Sequence, residues 1–166
     1  TMRATVTGPK EAAVRPKTLP LDLFVGYLSG GGASNLPVEM RVGYFGRSAT
    51  PDGYDGYTFG GTEVKEGTKP LNGDGEEETT PLPPTQTLPA TLRADGTAQT
   101  SVDIPTLDSP TDMLVEMDYQ DANGEVLTAS KRIPIFPSAV QLGVKTDGWL
   151  MKQDDLRLNF VALDTD

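Results

Sequence analysis

The chain has 166 residues, enough for one ordinary domain or one domain with part of another, and a formal net charge of -10 from 14 Lys and Arg against 24 Asp and Glu. No segment gathers the cations into a stripe, so the sequence excludes a nucleic-acid phosphate surface and favours an acidic periplasmic or extracellular one. With no Cys and no His, disulfides, thiolate metal sites, thiol nucleophiles, thioesters and any Ser-His triad are excluded, leaving carboxylates, Lys and Tyr for proton transfer.

Strand signals recur along the chain, and no stretch holds a helical period over 11 residues. MRATV (2 to 6) is the first candidate strand, preceded by Thr1, whose place before Met2 reads as a sign of excision from something longer. PLDLFVGYL (20 to 28) places Leu21, Leu23, Val25 and Tyr27 on one face and Phe24 and Leu28 on the other, as a central strand or one that meets a neighbouring module would. PVEMRVGYF (37 to 45) alternates cleanly, with Val38, Met40, Val42 and Tyr44 against Glu39, Arg41 and Gly43. Gly30-Gly31-Gly32 lies between these two runs. Its spacing fits neither GxGxxG nor GxxxxGK[ST], and Pro37 opens a strand where a phosphate loop needs a helix, so it is expected to be a hairpin loop between Leu28 and Pro37.

Segment 46 to 87 has eight Gly, five Pro and eight acidic residues but only seven apolar ones in forty-two, so it is expected to be a long insertion with no core of its own. The centre of that segment, TKPLNGDGEEETTPLPPT, is its most disorder-prone part. Strands follow at LPATLRA (88 to 94) and TAQTSVDI (97 to 104), joined by Ala94-Asp95-Gly96-Thr97. DMLVEMDYQ (112 to 120) and EVLTASKRIPIF (125 to 136) come next, joined by Ala122-Asn123-Gly124-Glu125. Asp-Gly and Asn-Gly between alternating runs predict two hairpins. Met113, Val115, Met117 and Tyr119 oppose Asp112, Glu116 and Asp118 across the strand. After Phe136-Pro137-Ser138, AVQLGVKTD (139 to 147) and DLRLNFVAL (155 to 163) flank a Trp-bearing turn, and Leu156, Leu158, Phe160 and Ala162 want a core that the remaining residues do not provide.

The expected fold is therefore all-β: an immunoglobulin-like or fibronectin-like antiparallel β-sandwich with a long acidic Gly/Pro-rich insertion. Residues 1–137 form one sandwich domain with the 46–87 loop inserted, and 138–166 the first strands of a second, incomplete one.

Few residues suggest chemistry. Asn72-Gly73-Asp74-Gly75-Glu76-Glu77-Glu78 is rich in oxygen ligands, yet it lacks the twelve-residue spacing of a calcium loop and reads as a solvated acidic loop. Asp121-Ala122-Asn123-Gly124-Glu125 resembles the start of such a loop but coincides with the Asn-Gly turn. Asp112, Glu116 and Asp118 share a strand face, as paired glycosidase carboxylates could, or as the wet side of a strand does. DGYDGYTFGG (52 to 61) is an aromatic platform or a packed surface loop. No residue is assigned a catalytic, cofactor-binding or metal-binding role.

The phrase YLSGGGASNLPVEMRVGYF, with Tyr27, Gly30, Gly31, Pro37 and Val38, resembles a signature of macroglobulin-type domains in bacterial alpha-2-macroglobulins. ATVTGPKEAAVRPKTLPLDLFV looks like the preceding edge strand and linker, and PDGYDGYTFG like the aromatic-ending insertion after that strand pair. LRADGTAQTSVDIP, LVEMDYQDANGEVLTASKRIPIFPS and VKTDGWLMKQDDLRLNFVALDTD resemble the later strands and the opening of the next domain. The family has a Gly and a small or Pro residue near Gln153 and Asp154, a pattern that this chain departs from.

The resemblance implies a non-catalytic module of a periplasmic endopeptidase inhibitor whose full-length parent, with or without an inner-membrane anchor, traps proteases after bait cleavage. Its partners would be neighbouring macroglobulin domains of the same chain and, through the full-length protein, target proteases, with no nucleic acid and no membrane contact. The rival reading is an immunoglobulin-like binding module of a bacterial surface adhesin using the 46–87 loop.

Overall fold

The computed structural model describes residues 1–47, 50–59, 81–146 and 158–165. These hold strands and no helix: β1 (Met2–Thr7), β2 (Ala13–Val14), β3 (Thr18–Tyr27), β4 (Pro37–Gly46), β5 (Thr58–Phe59), β6 (Gln86–Thr91), β7 (Thr97–Asp103), β8 (Thr111–Gln120), β9 (Val126–Phe136), β10 (Val140–Thr146) and β11 (Leu158–Asp164). The chain divides into two compact units, one of Thr1–Arg47 with Leu82–Pro137 and the other of Ser48–Pro81 with Ser138–Thr165.

The first unit is a sandwich of a three-stranded sheet, ordered β1-β3-β7, and a five-stranded sheet, ordered β2-β9-β8-β4-β6. The two-residue alternation builds its core. Leu19, Leu21, Leu23 and Val25 of β3 project inward with Ala98 and Val102 of β7, and Val38, Met40, Val42 and Tyr44 of β4 do so with Met113, Val115, Met117 and Tyr119 of β8. Antiparallel register sets Val42 opposite Val115 and Met40 opposite Met117, so the same face is apolar in both strands. The expected inward faces of β4 and β8 are therefore the observed ones. In β3 the inward series starts earlier, at Leu19, and ends at Val25, leaving Tyr27 and Leu28 exposed.

Two of the expected hairpins are corners. β3 lies in the three-stranded sheet and β4 in the five-stranded one, so the triple-glycine segment carries the chain between sheets and does not reverse a paired strand. The same holds for Asp95-Gly96, because β6 pairs with β4 whereas β7 pairs with β3. Locally that turn closes as a hairpin would, with Arg93 N donating to Thr97 O at 2.7 Å and Gly96 N to Arg93 O at 3.0 Å. Turn chemistry specifies the reversal, and the sandwich then sends the flanking strands to different layers. The Asn123-Gly124 turn joins directly paired β8 and β9 and is a true hairpin.

Strand limits differ in three instructive places. Ala13–Val14 forms the short β2, parallel to Ile135 and Phe136 of β9, which the Pro-flanked sequence does not announce. β6 starts at Gln86, inside the segment expected to be loop, and stops at Thr91. Pro89 sits in this edge strand, where a missing donor is tolerated. The third place is β5, also inside 46–87, which exists because Phe59 finds a buried seat. The rest of the insertion's centre, with its expected disorder, lies outside the described residues.

Tyr44 is 5% exposed, and among the described residues its hydroxyl has no hydrogen-bond partner, while burial raises its pKa. An unpartnered buried hydroxyl costs about 1 to 3 kcal/mol. Tyr44→Phe is therefore expected to raise the urea midpoint, by about 1 kcal/mol of unfolding free energy; an equal or lower midpoint would mean that the hydroxyl is satisfied.

In the second unit β10 is central, in the order β11-β10-β5. Val140, Leu142 and Val144 of β10 share a face with Phe160 and Leu158 of β11, and Leu142 and Phe160 are 69% and 73% exposed.

Candidate functional site

Three amides of the triple-glycine corner are spent internally. Tyr27 N donates to Gly31 O, Gly30 N to Tyr27 O and Ala33 N to Val25 O, at 2.9, 3.0 and 2.8 Å. Gly30 and Gly31 have φ of 107° and 88°, where a side chain is strained. Gly32 is needed for a different reason: a Cβ there would lie 1.8 Å from Asp95 O and 2.6 Å from Gly96 N. The two corners thus press backbone against backbone, and Val25 N closes the contact by donating to Gly96 O at 3.0 Å. This arrangement locks two sheets together, and it leaves none of those amides for a phosphate.

The Asp121 carboxylate faces its own turn. Its Oδ1 accepts from Asn123 N at 2.8 Å and Glu125 N at 3.0 Å, and its Oδ2 from Asn123 Nδ2 at 3.3 Å. The Glu125 and then the Asn123 amide bonds hold the Asp121 pKa below the ordinary value. A carboxylate committed to backbone donors caps a turn and is poorly placed for a cation. Among the described residues no group of three or more acidic side chains gathers as metal ligands would. The Asn72 to Glu78 candidate lies outside the described residues.

Asp112, Glu116 and Asp118 each meet a cation. Asp118 is bonded by Arg41 and the Thr128 hydroxyl, and Glu116 lies 3.5 Å from Arg41 Nε. Asp112 is a finding that alternation missed, because it is buried at 7% exposure. Arg47 Nη1 donates to its Oδ1 at 3.0 Å and Arg132 Nη1 to its Oδ2 at 3.3 Å. Register explains the second partner: Arg132 pairs with Leu114, which puts it diagonal to Asp112. Arg47 also sits over the Phe136 ring, 5.8 Å from its centroid. Each of these carboxylates thus has a cationic partner on its own or a neighbouring strand.

Hydrogen bonds lower the pKa of three aspartates: Asp118 chiefly through the Thr128 hydroxyl, Asp95 through the Thr97 hydroxyl and amide, and Asp121 as above. A folded-state value below 3.8 gives stability that is present above 3.8 and lost as pH falls through the depressed value. Urea unfolding at about pH 6 and about pH 3 is therefore expected to show acid destabilisation that is smaller in Asp118→Asn, which does not titrate. An identical pH dependence would remove Asp118 from the account.

In the second unit the tandem DGY turns arrange an aromatic cluster. Tyr54 N bonds Pro51 O at 3.3 Å and Tyr57 N bonds Tyr54 O at 3.1 Å, with Gly53 and Gly56 at φ of 85° and 87°. Tyr54, Tyr57 and Phe59 then lie 6.0 to 6.3 Å apart between ring centroids. Phe59 is buried over Gly143, where a Cβ would come within 2.6 Å of its ring, and Lys145 Nζ lies 5.6 Å from the Tyr57 centroid. The rings pack on one another and on β10, which is the packed-loop alternative and not an open platform.

Two of the clefts among the described residues lie on the first unit. The larger, about 540 Å³, is lined by Arg15, Lys17, Ile104, Leu107, Phe136 and Pro137 among others, and the smaller, about 290 Å³, by Thr5, Thr7, Asp22, Phe24, Arg93 and Gln99 among others.

The chain matches no protein-family model and no curated protein. Solved structures do resemble it. The native conformation of Escherichia coli alpha-2-macroglobulin matches 98% of the chain with a TM-score of 0.66 and 15% identity, over 10% of that protein's chain. The trypsin-activated form of the Escherichia coli protein matches 87%, with a TM-score of 0.67 and 16% identity, over 9% of its chain. Salmonella alpha-2-macroglobulin reacted with methylamine matches 98%, with a TM-score of 0.64 and 14% identity, over 11% of its chain. The chain thus shares its fold with a piece of these bacterial proteins and spans about a tenth of their length.

Proposed function

We propose that the chain is a non-catalytic structural module of a bacterial alpha-2-macroglobulin-like endopeptidase inhibitor, a protein that traps proteases after cleavage of a bait segment held elsewhere. The observation that carries this reading is the fold match extending over 98% of the chain, through both units and not one sandwich alone. It is supported by the ion-paired or turn-capping state of the described candidate carboxylates. Residues 138–166 are read as the first strands of a further macroglobulin-type domain, a reading supported by the exposed apolar face around Leu142 and Phe160. The partners are then neighbouring domains of the same polypeptide, with target proteases engaged only by the whole protein, and the location is the periplasm.

The isolated chain distinguishes this from a self-contained activity. Added in molar excess to trypsin, it is expected to leave trypsin activity unchanged, and calcium is expected to leave its melting temperature unchanged. Stoichiometric inhibition would overturn the module reading. Saturable calcium stabilisation that Asp74→Ala, Glu76→Ala and Glu78→Ala abolish would favour the adhesin.

A further inference from the structure

We propose that the outer edge of β11 (Leu158–Asp164) is a docking strand for a second copy of this chain, pairing antiparallel with its own counterpart about a two-fold axis at Val161. The inference goes beyond the proposed function. It rests on the register and exposure of one sheet within the second unit.

Among the described residues β11 is the outermost strand of the order β11-β10-β5, with no strand on its far side. Register decides which of its groups face that side. Thr165 N donates to Ala139 O at 3.1 Å, and the pairing runs without a break from Val140 opposite Asp164 to Thr146 opposite Leu158. Antiparallel residues exchange bonds at every second pair, so Leu163, Val161 and Asn159 turn their amides and carbonyls toward β10, whereas Phe160 and Ala162, lying between them, turn theirs outward. The same strand carries apolar side chains on one face. Leu158 and Phe160 are exposed there beside Val140 and Leu142 of β10. Outward amides next to exposed apolar side chains, with no Lys or Pro in the strand to block it, make an edge that accepts another strand.

The strand that fits this edge is β11 itself. With Val161 opposite Val161 of the second copy, the whole of β11 overlaps: Leu158 faces Asp164, Asn159 faces Leu163 and Phe160 faces Ala162 of the other chain, and the reverse. In this register Phe160 and Ala162 of the second copy form a pair that exchanges both backbone bonds, so the outward groups of each chain meet those of the other. No like charges are opposed, because Asp164, the one ionisable residue of the strand, lies across from Leu158. Opposite residues of paired strands share a face, so the two apolar faces join side by side, and the two Phe160 rings become diagonal neighbours within aromatic reach. A single strand pairing is a small interface, so the association is reversible and concentration-dependent.

Sedimentation velocity of the 166-residue chain from micromolar to submillimolar concentration is expected to show a reversible monomer–dimer equilibrium. Ala162→Pro is expected to abolish it, because it removes an outward donor without taking a bond from β10. A parent chain that stays monomeric, or a dimer that survives Ala162→Pro, would overturn the proposal. Register is read by cysteine chemistry, since the chain has no cysteine of its own. Under mild oxidation Val161→Cys is expected to link two copies, its Cα atoms standing about 4.5 Å apart in a pair without hydrogen bonds. Leu163→Cys, on the same face of β11, would lie about 14 Å from its counterpart and is expected to stay unlinked. If Ala162→Pro unfolds the second unit, these two variants decide: linkage of Val161→Cys alone supports the pairing, and equal linkage of both or linkage of neither would overturn it.

Discussion

Gly32→Ala is expected to destabilise the first unit by about 3 kcal/mol or more, the upper end of what overpacking costs, whereas Gly46→Ala should stay within about 0.5 kcal/mol. The added methyl of Gly32→Ala would stand 1.8 Å from Asp95 O and 2.2 Å from the carbonyl carbon, and both obstacles are backbone. No rotamer relieves that contact. One corner must move away from the other, and the bond from Val25 N to Gly96 O goes with it. At Gly46 nothing lies within 4 Å of the same added atom. Gly96→Ala should resemble Gly32→Ala, since its φ is 80° and its Cβ would meet Val25 O at 2.3 Å. Urea unfolding followed by near-UV circular dichroism measures all three, and equal midpoints for Gly32→Ala and Gly46→Ala would refute the backbone contact.

Val42→Asp should abolish folding of the sandwich. Val42 is 0% exposed, opposite Val115 and among Met40, Met117 and the β3 leucines. An unpaired buried charge costs roughly 3 to 5 kcal/mol, comparable with the whole stability of a modest domain. Glu39→Lys, three residues earlier on the wet face, is the matched control. Glu39 lies directly opposite Asp118, so reversing its sign replaces a like-charge pair with an attractive one and should be neutral or slightly stabilising. Comparable losses in the two variants would contradict the facing of β4.

What was legible in the sequence was whatever depends on residues adjacent along the chain. Alternation in β4 and β8 identified which side chains enter the core, and Asn123-Gly124 identified a true hairpin. What was illegible depends on residues far apart. Asp-Gly and Gly-Gly-Gly specify a reversal but not the layer to which the next strand goes, and both turned out to be corners. Asp112 sits on the polar side of its strand by period, yet Arg47 and Arg132, 65 and 20 residues away, make its burial affordable. Phe59 lay in a segment too poor in apolar residues to form a core. Its seat is supplied by the bare backbone of Gly143, which no local pattern could announce. The candidate site follows the same logic: the carboxylates and the glycines were visible as residue types, but only their partners show that they hold the fold together.

The proposed role, a module that frames a protease trap without acting on the protease itself, is tested by retention of labelled trypsin on size-exclusion chromatography. Three samples are compared: the full-length protein, the same protein carrying Val42→Asp, and the isolated 166-residue chain. The account predicts co-elution of trypsin with the first alone. Retention by the isolated chain, or equal retention by the full-length protein with and without Val42→Asp, would contradict it.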